Sequence, residues 1–136
     1  MKPRPARRKR ARTVTAEGAT LRDMDEFSAD IRNLAKEGQA LLEQARTETS
    51  GRASSSLIHG DKQRAVLMGL IAGVGLDPHE APPAASLQII TGRARLYTAD
   101  GAAEWLLGDG DLVPIPQTRH GVDTLSDTVL LLTVSL

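Results

Sequence analysis

The chemistry this 136-residue sequence can do rests on three histidines, His59, His79 and His120, because it contains no cysteine. Thiolate zinc sites, cysteine nucleophiles and disulfides are thereby excluded. An imidazole can still ligate a metal, move a proton or hydrogen-bond a ligand near neutral pH. His79 stands in "GVGLDPHEAPPAASLQIITG", residues 73–92, next to Glu80, and His120 closes "GDGDLVPIPQTRH", residues 108–120. His59, in "LIHGD", precedes a turn signal and reads as a surface histidine. Two imidazoles alone leave an ion mostly held by water, so His79 and His120 carry two readings. They are metal ligands, or they line the mouth of a cavity and bond to backbone or water.

Other chemistries find less support. No Gly-x-Ser-x-Gly elbow is present for serine catalysis. "GDGD" precedes a strand-like run rather than a helix, which argues against a phosphate cradle. Asp109 and Asp111 within it lack the further oxygens of a calcium loop and read as turn residues. Arg93 and Arg95 alternate with Ala94 and Leu96, which places both guanidinium groups on one face of a strand, solubilising if outward and anion-clamping if inward. Tyr97 and Trp105, the aromatics after Phe27, are read as a cross-strand packing pair.

The elements that must position these groups follow from the pattern of the chain. Residues 1–13 hold seven of the 17 Lys and Arg and no acid, while the remainder carries ten bases against 17 acids. Such a Pro-broken, like-charged arm, residues 1–19, is expected to be disordered. It has no aromatic residue for base stacking, and the helix after it is acidic, so nucleic acid is an unfavoured partner. From Thr20 the apolar residues fall at helical spacing through Ala45, predicting one amphipathic helix over residues 20–47, with Gly38 a point where it can break. After Ala53 the period changes. "SSLIH", "QRAVLMGLIAG", "ASLQII", "RARLYTA", "AEWLL", "DLVPI", "HGVDTL" and "TVLLLTVSL" alternate with turn signals such as "HGDK", "DPHEAPP", "TADGA" and "GDGD". Short, regularly spaced strands without helix-length gaps predict an all-β sandwich or barrel. The most apolar run, residues 65–76, is shorter than the roughly 20 residues of a membrane-spanning helix, and no secretory signal pattern follows the N-terminus. The protein is accordingly read as cytoplasmic, without a membrane partner.

Residues 53–136 resemble the cupin superfamily, the small RmlC-like double-stranded β-helix (jelly-roll) domains. The first cupin motif is matched by Gly73 or Gly75, His79 and Gly92, followed by the strand-like "RARLYT". The second is matched by Gly110, Pro116 and His120. The wording is similar to that of short bacterial cupins with an N-terminal helix, most of which have no assigned reaction. The resemblance implies a metal centre of two or three histidines and a glutamate, but here the glutamate position falls on Ala85. The second histidine of the first motif falls on Ala81, or on Glu80 with a longer spacing. The carried-over ligands are therefore His79 and His120, with Glu80 or Gln88 as a third. If Ala85 faces inward, so do Leu87 and Ile89, and Gln88 faces away. The expected pocket is lined by His79, His120, Leu87 and Ile89. Two functions are implied, a barrel that binds a small molecule without established catalysis, or a dioxygenase, isomerase or lyase using Fe, Mn, Ni or Zn held by His79 and His120. A homodimer is the state the resemblance implies.

Overall fold

The computed structural model describes residues 31–136. The basic arm and the expected helical stretch up to residue 30 lie outside the described residues. Helix α1, Leu34–Thr47, buries Gly38, Leu41, Leu42 and Ala45, the i, i+3, i+4, i+7 spacing of a single helical face. Residues 31–33 are not helical, and the helix runs unbroken through Gly38. A Cβ at Gly38 would come 2.6 Å from Val129 Cγ1, so the glycine is there for close packing rather than as a break.

Nine strands follow among the described residues: β1 Arg52–His59, β2 Gln63–Leu70, β3 Leu76–His79, β4 Ala85–Thr91, β5 Ala94–Thr98, β6 Glu104–Leu107, β7 Leu112–Pro114, β8 His120–Thr124 and β9 Thr128–Ser135. They form two antiparallel sheets, one ordered β1-β2-β9-β4-β7 and the other β3-β8-β5-β6. Strand β3 takes in the first three residues of "DPHEAPP", expected as a turn. It contains Pro78, which lacks the N–H a central strand must donate, and it sits at the edge of its sheet, where that loss is tolerated.

Between the sheets lie Leu70, Leu87, Ile89, Ala94, Leu96, Leu107, Ile115, Val122 and Leu130. On the other face of the five-stranded sheet, Leu67 and Val129 pack with Leu41, Leu42, Ala45 and Ala53 under the helix. Alternation along β2 and β9 thus sends apolar side chains to two buried faces, which is why "AVLMGL" and "TVLLLTV" read as continuous apolar runs. Each fully buried leucine contributes roughly 1.5–3 kcal/mol. Tyr97 and Trp105 do not pair. Trp105 stands opposite Leu96 and packs on the core, whereas Tyr97 stands opposite Glu104 on the outer face.

Candidate functional site

Strands β3 and β8 bring His79 and His120 into direct register. The pairing shifts between Leu76 and His79, and such an irregularity re-aims the side chain that follows it. The two rings meet edge to face, with centroids 4.6 Å apart and planes at 61°. His120 is 1% exposed and His79 is exposed. In both, Nδ1 lies against the carbonyl oxygen two residues earlier, at 3.0 Å to Asp77 for His79 and 2.8 Å to Thr118 for His120. A carbonyl only accepts, so each Nδ1 carries a proton and donates it, and a ring in its neutral form has its lone pair on Nε2.

The registers also show which end of the barrel this is. Along β2, β4 and β9 the core-facing residues pass from fully buried Leu70, Ile89 and Leu130 to half-buried Met68, Ala85 and Leu132. Ala85 pairs with Val134, and Thr98 pairs with His120, so burial falls off toward the histidine end. Leu87 and Ile89 face inward and are completely packed, below the half-buried Ala85 and Leu132. Thr98 is buried beside His120 and its hydroxyl is taken by Ala103 O.

The remaining expected residues are placed elsewhere. Glu80 is 84% exposed and accepts from Arg119 Nη1 at 3.1 Å. Gln88 pairs with Leu131, on the helix side of its sheet. His59 is exposed at the end of β1, next to Arg64 in register. Asp111 accepts from Gly108 N at 2.8 Å within its own turn, whereas Asp109 accepts from Gly92 N at 2.6 Å and ties its turn to the one before β5. Arg95 points outward over the Tyr97 ring and is held by Asp123 at 2.7 Å and Glu104 at 2.8 Å, which together raise its pKa further above the ordinary value. Sequence reasoning missed the Arg119–Glu80 pair. The signal was present, because each partner is the chain neighbour of one histidine.

The metal centre that the resemblance implies takes two or three histidines and a glutamate, and the donor set here does not fit it. The glutamate position is the methyl group of Ala85, Glu80 is bonded to Arg119, and the Thr98 hydroxyl is bonded to backbone. Among the described residues no three His, Asp or Glu side chains gather in a way that could hold an ion. No helix of the described residues is long and apolar enough to cross a membrane.

Two antiparallel sheets closed face to face, with a histidine from each of two motifs at one end, define a double-stranded β-helix. Solved structures agree. A cupin superfamily protein from Desulfitobacterium hafniense superposes with a TM-score of 0.59 at 16% identity, covering 66% of this chain and 82% of that one. A cupin-2 domain protein from Shewanella frigidimarina gives 0.59 at 10% identity over 81% and 99%. A conserved protein of unknown function from Streptococcus pyogenes gives 0.58 at 19% identity over 65% and 76%. No protein-family model and no curated protein matches the chain. The fold of the nine strands, Arg52 to Ser135, is therefore that of the cupin barrel, which the resemblance implied for residues 53–136.

Proposed function

We propose that this cupin barrel binds a small molecule at its histidine end, with His120 as the polar anchor and the completely packed Leu87 and Ile89 as the floor. The observation that carries the reading is the state of His120. It is almost completely buried, its Nδ1 is satisfied by Thr118 O, and no described residue bonds its Nε2. A buried polar atom without a partner costs about 1–3 kcal/mol, so such an atom at the open end of an apolar barrel is a place a ligand can satisfy. Half-buried Ala85, Met68, Trp105 and Leu132 supply the apolar walls that small-molecule sites usually have. The protein is proposed to act in the cytoplasm as a homodimer, which light scattering at high concentration would test.

A titration of the labelled full chain with a mixed set of small organic fragments tests the binding reading. Amide shifts are expected to gather on Ala85, Thr98, His120 and Leu132, and shifts scattered over the outer surface would overturn it. Metal content separates this reading from the enzyme alternative. Near-stoichiometric iron, manganese, nickel or zinc, lost in both His79→Ala and His120→Ala, would replace this reading with a metal enzyme.

A further inference from the structure

We infer that the polar end of the ligand is an uncharged hydrogen-bond donor, a hydroxyl or N–H group on a small apolar body, and that carboxylates and phosphates are turned away. The inference rests on the proposed binding function and deepens it. Its basis is the direction of both Nδ1 bonds. Because Asp77 O and Thr118 O can only accept, the ring protons are committed to the backbone. In its neutral form, what His120 offers at Nε2 is a lone pair. A carboxylate brought to that nitrogen would set oxygen lone pairs against it and lose its own hydration, with no donor to compensate.

The charged side chains nearby are arranged consistently with this. Arg119 is engaged by Glu80 and Arg95 by Asp123 and Glu104 on the outer face. Arg64 remains exposed at the rim, in register with Val134. Arg64 and the exposed Lys62, which lines the same rim as Ala85, are cations an anionic ligand could use there, and both lie in solvent rather than beside the buried ring. Size is limited from below, since Leu87, Ile89 and Leu96 leave no exposed surface beyond about 1%. The body of the ligand must rest above them, so a single ring is a suitable probe.

The test uses the full chain labelled with nitrogen-15, at a pH above the range in which imidazole ordinarily titrates. Long-range proton–nitrogen spectra report which nitrogen of each histidine carries the proton. His120 Nε2 is expected to be unprotonated in the free protein, which requires no variant to observe. Phenol, benzoate and toluene, alike in ring and size, are then titrated. Phenol should move the His120 Nε2 resonance and bind about tenfold more tightly than toluene or benzoate, the difference a hydrogen bond to an otherwise unsatisfied buried acceptor makes. His120→Phe should reduce phenol to the affinity of toluene. A protonated Nε2 in the free protein, equal affinity for all three, or tighter benzoate binding lost in Arg64→Gln would each overturn the inference while leaving a small-molecule site. Absence of binding by all three at the open end would overturn the proposed function as well.

Discussion

The two ends of the barrel are built from the same strands and treat their polar groups in opposite ways. At the end away from the histidines, the buried hydroxyl of Thr124 is shared between Ile71 O and Val74 O, and that of Thr128 between Arg93 O and Ser126 O. Asp127 there accepts from Ala72 N and Arg46, joining the β8–β9 loop to the turn after β2 and to the helix. At the histidine end the buried ring of His120 has one nitrogen bonded and one open. The closed end spends its polar groups on tying loops together, and the open end keeps one back. With the proposed ligand at His120, stability and ligand recognition would be separated along the strand axis and should respond to different substitutions.

The largest expected effect is at Gly92, which adopts φ 111° where the chain turns into β5. A Cβ there would lie 2.5 Å from Asp127 O and 2.7 Å from Thr128 Cα, both backbone atoms that cannot step aside. Gly92→Ala should cost about 3–5 kcal/mol in denaturant unfolding. Gly101 at the open end has φ 77° and open space around its Cβ position, so Gly101→Ala should cost only about 1 kcal/mol. Equal losses in the two variants would break the contrast between the ends.

Next in size is Thr128→Val, which keeps the shape and removes the shared proton. Two buried-end carbonyls lose a donor, and unfolding should become easier by about 1–3 kcal/mol. His120→Phe is its counterpart at the open end. It forfeits the bond to Thr118 O but no second one, so stability should stay within about 1 kcal/mol of wild type while phenol binding falls about tenfold, to the level of toluene. A His120→Phe protein as unstable as Thr128→Val would mean that His120 is a structural residue like the threonines.

Much of this division could not be read from the chain. The strand-only region, the inward set Ala85, Leu87 and Ile89, and the place of His79 and His120 in two motifs were all legible, because alternation and motif spacing are local properties. Strand β3 was not, since four residues containing Asp77 and Pro78 become a strand only by pairing with β8, some forty residues later. Gly38 stood out as a point where the helix can break because helix propensity is local, whereas the reason for the glycine is Val129 on the last strand. The protonation pattern of the two rings depends on carbonyl directions that follow from the backbone path. The Arg119–Glu80 bond likewise depends on register rather than on residue type.

The smallest effect concerns acid. Asp127 has its pKa lowered, first by the N–H of Ala72 and then by Arg46, because both favour the charged carboxylate. A lowered native pKa means that the unfolded chain takes up the proton first as pH falls. The stability from Asp127 is therefore fully present above the ordinary carboxylate value of about 3.9 and fades as pH drops through the lower native value. With side chains 42% and 50% exposed, Asp127 and Arg46 are screened by solvent, and the contribution should stay below about 1 kcal/mol. Asp127→Asn should thus be slightly less stable than wild type at about pH 6, and the gap should narrow toward about pH 3. The comparison requires unfolding curves of both proteins at the two pH values. A gap that is unchanged by acid would show that the closed end is tied by the shape of this loop rather than by the charge on Asp127, and the electrostatic part of the contrast would fall away.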